Sequence, residues 1–358
     1  MRLEAAVKAG HPAGAFRRGA ERHPMSRRRW ILAISLSLLL LVSCLYGLVK
    51  GAVPIRLSDI WQAIASSEDT MARRIVWDLR IPRVIIGILV GMCLASAGAL
   101  LQGVMRNPLA DPGIIGVSSG AGLMATLILI VFPAYTLFLP IAAFLGAFVT
   151  AMAIYILAWN KGATPGRIIL VGISINAVIG ACMSALMLLY SDRVQAVLPW
   201  MSGGISGVSW DHVNMVAYYA VVALVLSLFG IKHVRILMLG DEMAKLLGHR
   251  VERSRLVLIV LSTLLSGIAV SVSGLIGFVG LVVPHMIRLL IGNDYRYLLP
   301  ISAIGGGALV VLADTIARSW FDPIELPVGI LLSFLGGPFF LLIIHKGGKE
   351  REKRAAYE

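Results

Sequence analysis

Trp30–Val49 reads WILAISLSLLLLVSCLYGLV, a run of 20 residues without a charge. An apolar helix of that length rises about 30 Å at roughly 1.5 Å per residue, which is the thickness of a bilayer's hydrocarbon core. A membrane-barrel strand would be about ten residues long and would alternate polar with apolar, whereas Ile31 to Val42 shows almost no such alternation. Similar runs recur as far as Ile344. The 358 residues are 58% hydrophobic and only 14% charged, with a mean hydropathy of +0.86, which fits no soluble class. The predicted fold is all-α, a polytopic membrane protein with about ten transmembrane helices. They are placed near 30–49, 82–105, 113–132, 137–159, 167–189, 213–230, 256–273, 275–292, 299–318 and 327–344.

The net charge of +13 sits mainly at the two chain ends and in short loops beside apolar runs, so it marks topology and not a nucleic-acid surface. Residues 1–29, with Arg17, Arg18, Arg22 and Arg27 to Arg29, are expected to be a disordered basic tail before a transmembrane domain over 30–346. A short basic tail, 347–358, follows it. The first apolar run is too long for a secretory h-region and should persist as a helix. An even number of crossings puts both termini on one side, and the positive-inside rule makes that side the cytoplasm, together with Lys161, Arg167 and the basic loop at 231–255. Cys44, Cys93 and Cys182 lie far apart inside apolar runs, without metal-binding spacing, and read as packing residues.

Against this background a few polar residues stand out. Arg80 and Arg83 flank Pro82 at the expected outer start of the second helix, and Arg318 ends the ninth on the same side. Cations there run against the usual bias and are expected either to anchor at the interface or to meet an anionic partner. Gly87, Gly91, Ala95, Ala97, Gly98 and Ala99 give the second helix a small-residue face suited to close packing in lipid, which predicts a central position. Arg106-Asn107-Pro108-Leu109-Ala110-Asp111-Pro112-Gly113 makes a tight polar turn in which Asp111 is expected to cap the next helix with Pro112 at its first position.

Gly240-Asp241-Glu242-Met243-Ala244-Lys245-Leu246-Leu247-Gly248 reads as a two-turn helix, capped by Asp241 and stopped by Gly248. Its apolar strip of Met243, Leu246 and Leu247 must pack on lipid or on a cytoplasmic protein. Asp314 is a carboxylate inside an apolar run, and Arg318, four residues on, is its expected ion-pair partner. His285, late in the eighth helix, reads as a hydrogen-bonded packing residue. No phosphate loop, metal-ligand cluster or nucleophilic motif is visible, so the chain is not expected to be an enzyme.

These segments carry a resemblance. Leu79-Arg80-Ile81-Pro82-Arg83, Gly98-Ala99-Leu100-Leu101-Gln102, Asn107 through Pro112 to Gly120-Ala121, Leu239-Gly240-Asp241-Glu242, Gly277 through His285, Ala313-Asp314 and Glu325-Leu326-Pro327-Val328-Gly329 occur in the order seen in one family. From Trp30 to Lys346 the chain resembles the permease subunits of binding-protein-dependent ABC importers for iron-siderophores, haem and cobalamin, that is, type II importers. The resemblance implies import of a metal chelate across the cytoplasmic (inner) membrane of a bacterium or archaeon. It implies a second permease copy or close relative, two cytoplasmic ATPase subunits that hold ATP and Mg while this chain holds no cofactor, and an extracytoplasmic solute-binding protein. It further implies that Arg80, Arg83 and Arg318 receive acidic residues of the binding protein. Asn107, Pro108 and Leu109, with Thr164 and Pro165, would form the cytoplasmic gate, and the stretch Gly240 to Gly248 would couple to the ATPase. Sequence departs from the family pattern at Thr164 and Pro165 and in the basic lead before Trp30. The alternative reading is a secondary transporter driven by an ion gradient, for which Asp314 is the basis.

Overall fold

The computed structural model describes residues 24–355 apart from 52, 54, 56, 66–69, 161, 322 and 323, so positions 1–23 of the expected basic tail and 356–358 of the C-terminal tail lie outside the described residues. Among the described residues there are helices and no strands. In chain order they are α1 (Pro24–Val49), α2 (Leu57–Ala65), α3 (Met71–Arg73), α4 (Ile81–Met105), α5 (Val117–Thr126), α6 (Leu139–Leu157) and α7 (Pro165–Leu189). There follow α8 (Val194–Ser202), α9 (Trp210–Met238), α10 (Asp241–Leu246), α11 (Val251–Ser273), α12 (Val279–Ile291), α13 (Tyr295–Ser319) and α14 (Val328–Ala355). Seven stretches are long and apolar enough to cross a membrane, and Val117–Val131, Val279–Ile291 and Val328–Leu341 are apolar but shorter. Each of the ten expected segments coincides with one of these.

Several boundaries are corrected. The basic lead becomes helical at Pro24 and not at Trp30, and Arg29 is held there by Asp294 at 3.6 Å and by the Tyr297 ring, 4.4 Å from its centroid. The second membrane helix starts 11 residues before Pro82, because α3 runs through a π-helical stretch, Arg74–Arg80, into α4. Proline has no N–H and its ring crowds the preceding turn, so an α-helix would normally end there. Widening the turn removes the conflict: Ile81 N–H bonds to the Val76 carbonyl, five residues back. The expected eighth helix begins only at Val279, after a non-helical stretch at 274–278, and α14 continues to Ala355, past the expected end at 344.

As the small-residue face predicts, α4 is central. In its apolar 18-residue stretch, 78% of the helix Met71–Met105 is buried, against 11% for the corresponding stretch of Arg27–Val49. It packs on α9, α11, α12 and α13, with backbone-to-backbone approaches of Gly91 to Gly306 in α13 and of Gly98 to Gly280 in α12. Polar side chains then bond across the helices: Ser262 Oγ donates to Ala97 O at 3.1 Å, Tyr295 to Ala99 O at 3.0 Å, and Gln102 Nε2 to Gly280 O at 3.3 Å. In lipid, where apolar surface gains nothing from burial, such contacts hold helices together. The non-helical backbone at 203–204, the end of α11 and the start of α14 pair with one another, Gly204 N to Ser273 O at 2.8 Å and Gly329 N to Gly203 O at 2.9 Å. That satisfies groups which hydrocarbon would leave unpaired.

Candidate functional site

Two polar clusters lie at opposite ends of the bundle. At the end of the bundle where α1 begins, α4 closes on Arg106, a non-glycine residue with φ 48°, whose N–H reaches Gln102 O and Gly103 O. Asn107 Oδ1 then accepts from Leu109 N at 2.9 Å, and Asp111 Oδ1 accepts from Gly113 N at 2.8 Å; Asp111 thus caps a separate short turn, Pro112–Ile115, and not the next membrane helix, α5, which begins at Val117 with Gly116 at its N-cap. Thr164 takes the extended N-cap conformation with Pro165 in the first turn of α7. Charged groups link these two turns, and the segment after Asp111 also bonds α7 directly, Asn176 Nδ2 donating to Gly113 O at 3.1 Å.

The helix α10 forms where the sequence places it, and its strip is free: Met243 is 52%, Leu246 82% and Leu247 59% exposed, while Ala244 is buried against the bundle. Gly248, at φ 78°, ends it with His249 N bonded to Ala244 O at 2.9 Å. The cap is corrected. Gly240, at φ 89°, occupies the N-cap position with no side-chain bond, and Asp241 is the first helical residue. Its carboxylate turns away from the helix end to Arg255 Nη2 at 2.8 Å and Arg106 Nη2 at 3.3 Å. Glu252 takes Arg255 Nη1 at 2.7 Å and, with its other oxygen, Ala163 N at 3.1 Å.

At the opposite end the three arginines expected as a surface group turn into the chain, Arg80 and Arg318 buried and Arg83 partly so. Arg80 is 4% and Arg318 6% exposed. Arg80 Nη1 donates to Leu48 O at 2.6 Å and Val49 O at 3.0 Å, and its Nη2 reaches Val53 O, while Arg318 Nη2 reaches Gly47 O. Both guanidiniums therefore close the C-terminal end of α1, where carbonyls have no helical partner. Because Pro82 lies within a continuous helix, Arg80 and Arg83 point into the bundle and not out from a helix start.

Asp314 is paired, but its principal partner is Arg83, by a fork of Nε to Oδ2 and Nη2 to Oδ1, each 2.9 Å. The expected Arg318 is secondary, at 3.7 Å. Asp314 therefore does not stand alone in the apolar run but belongs to a forked ion pair. Arg83 Nη1 also meets Glu325 Oε2 at 2.9 Å, and Ser206 Oγ donates to the same oxygen at 3.0 Å. Burial alone would raise the Glu325 carboxyl, but the Arg83 charge and the hydrogen bonds from Arg83 and Ser206 outweigh it and hold it below the usual carboxylate range. Arg80, Arg83, Arg318 and Glu325 line a pocket of about 300 Å³. His285 is buried with neither ring nitrogen bonded, contrary to the expected hydrogen-bonded packing role.

Against known proteins, the model of the FecCD transport family matches residues 39–346. The hemin transport system permease protein HmuU of Yersinia pestis is 39% identical over 328 residues, covering 89% of this chain and 96% of the relative. The Fe(3+)-citrate import system permease protein YfmD of Bacillus subtilis is 38% identical over 326 residues, 90% of this chain and 98% of the relative. A solved structure described as an inward-facing metal-chelate type ABC transporter superposes with a TM-score of 0.79 at 28% identity, covering 88% of this chain and 99% of that one.

Proposed function

The chain belongs to the FecCD transport family, and from that premise we propose that this membrane-spanning permease subunit of an ABC importer passes a metal chelate of the iron-siderophore, haem or cobalamin kind into the cytoplasm. The end with both termini, α10 and the turns Asn107–Leu109 and Thr164–Pro165 faces the cytoplasm. ATP is hydrolysed there by two separate ATPase subunits, and an extracytoplasmic binding protein delivers the chelate at the other end to a pair of permeases.

The observation that carries this reading is α10. A helix of 6 residues cannot stand alone in water, yet three large apolar side chains on it are more than half exposed. A groove on an ATPase that buried them would gain on the order of several kcal/mol gross at ~25 cal/mol per Å². In proteoliposomes reconstituted with ATPase and binding protein, uptake should require ATP and survive a protonophore. Leu246→Asp should abolish both ATPase co-purification and uptake while the permease stays in the membrane. Normal co-purification of Leu246→Asp would remove α10 as the docking element, and protonophore-sensitive uptake without ATP would overturn the function.

Docking of the binding protein is assigned to the same arginine cluster, with Arg83 as the accessible member. Its exposed partner Glu325 can be exchanged for a carboxylate of the binding protein, whereas Asp314 stays as its buried counter-ion. Arg83→Glu should therefore weaken association at low salt, and Glu325→Gln, which removes the internal competitor, should strengthen it severalfold; both effects should shrink at high salt. Changes of the same sign in both variants, or no change in either, would rule this exchange out.

A further inference from the structure

Arg255 stands near the start of α11 at the charged, solvent-facing end of the bundle, yet it is 1% exposed and is among the largest fully buried side chains among the described residues. A buried charge is held only where the geometry of its partners is close to ideal, and an apolar side chain of similar size generally serves stability as well or better. Stability alone therefore gives little reason for an arginine at this place. What the arginine does that an apolar side chain cannot is fork.

Its two terminal nitrogens take two carboxylates on different elements, and each carboxylate uses its other oxygen on a further element. Asp241, the first residue of α10, bonds Arg255 through Oδ2 at 2.8 Å and meets Arg106 through Oδ1 at 3.3 Å. Arg106 is the left-handed cap from which the turn Asn107–Leu109 departs. Glu252 bonds Arg255 through Oε1 at 2.7 Å and accepts from Ala163 N through Oε2 at 3.1 Å, immediately before Thr164 and Pro165. The loop also presses on that carboxylate: at Gly162, with φ 124°, a Cβ would lie 2.8 Å from Glu252 Oε1. A continuous line of polar contacts thus runs Arg106, Asp241, Arg255, Glu252 and the backbone N–H of Ala163, with the docking helix in it and one turn at each end.

We infer that Arg255 is a transmission residue, the node through which displacement of α10 is passed to both turns so that they move together. The inference rests on the reading of α10 as the ATPase-docking helix and of the two turns as the gate. Charge-assisted, directional bonds suit this task because a shift of one carboxylate must rotate the planar guanidinium and carry the other with it. Apolar contacts in the same place would slide. Spatial connection alone is not coupling, so the test must read coupling itself.

The experiment uses the assembled importer in proteoliposomes and measures three quantities for each variant: ATPase association, ATP hydrolysis and chelate transported per ATP. Arg255→Met keeps the volume and removes the fork. It should assemble with the ATPase and hydrolyse ATP, but the transport ratio should fall about tenfold or more. Arg255→Lys, which keeps the charge without the fork, should recover little of it. Should Arg255→Met fail to accumulate, Arg106→Gln gives the same information from a side chain that is 40% exposed. It should lower the ratio several-fold, and together with Asp241→Asn it should lower it no further than Asp241→Asn alone. A wild-type transport ratio in Arg255→Met, or additive losses in the Arg106 and Asp241 pair, overturns the inference. Loss of ATPase association in Arg255→Met would also overturn it, since Arg255 would then build the docking helix and not transmit from it. Failure of the underlying reading looks different, because there Leu246→Asp would leave association and transport intact.

Discussion

Gly98→Ala is expected to destabilise the protein at or beyond the upper end of the ~1–3 kcal/mol typical of overpacked cores, although it adds a single methyl group. The added Cβ would fall 2.5 Å from the Gly280 Cα and nearer still to its carbonyl. When an intruding atom meets a flexible side chain, the side chain can turn away. Here the neighbour is the backbone of α12, so relief requires the two helices to separate. Separation also stretches the Gln102 Nε2 bonds to Gly280 O and Leu281 O, both 3.3 Å, which cross the same contact. Hydrocarbon around the helices offers no partner for the freed groups.

The measurement is thermal unfolding of detergent-purified protein, with yield of monodisperse material as a second readout. Gly180→Ala on α7 is the control, because nothing lies within 4 Å of its added methyl. It should be neutral or slightly stabilising, as glycine is the poorer helix former by up to ~1 kcal/mol. If Gly98→Ala melts with the wild type, α12 can move aside freely and the tight contact has no structural role.

The helices were legible because an apolar run in lipid has few alternatives, and Gly91 and Gly98 marked α4 as central through their size alone. Signals of shorter range than a membrane span were lost. The 9 residues of α2 and of α8 are too short to register as spans, and Arg73, Arg74 and Asp78 hid the helical approach to Pro82. Local geometry was read correctly where near neighbours set it and incorrectly where distant ones do. Gly248 as a stop, Asp111 as a cap and the strip on α10 all follow from neighbours a few residues away. Asp314 was matched to Arg318 because four residues is one helical turn, yet the stronger partner, Arg83, is 231 residues distant. Asp241 was read as a cap for the same reason, when a buried arginine 14 residues on is the better donor. Long-range charge pairing leaves no periodic trace in a single sequence.

Asp314→Ala should cost about 3–5 kcal/mol, the range for removing one member of a buried ion pair. Three guanidiniums share this end of the bundle, and a methyl group at Gly51 would sit 2.9 Å from Arg80 Nη2 and 3.0 Å from Arg318 Nη1. Asp314 is the buried carboxylate beside them, while Glu325 stands at the rim with 47% of its side chain exposed. Without Asp314, Arg83 loses both arms of its fork, and Arg318 Nε, which already lacks a hydrogen bond, loses its nearest anion at 3.7 Å. The penalty is mainly the uncompensated charge left behind, so it should be recoverable. Replacing both partners with apolar residues, Arg83→Met with Asp314→Leu, should return stability to within about 1–2 kcal/mol of the wild type, because apolar replacement of a whole buried pair is often neutral. The double variant should fold and insert but fail to respond to the binding protein, since its Arg83 charge is gone. Thermal midpoints of the two single variants and the double form a closed cycle with an expected coupling above about 2 kcal/mol. Simple additivity of the two single losses would show that Arg83 and Asp314 are neighbours without a shared energetic role. In that case the cluster would be held by the carbonyls at the end of α1 and not by its carboxylate.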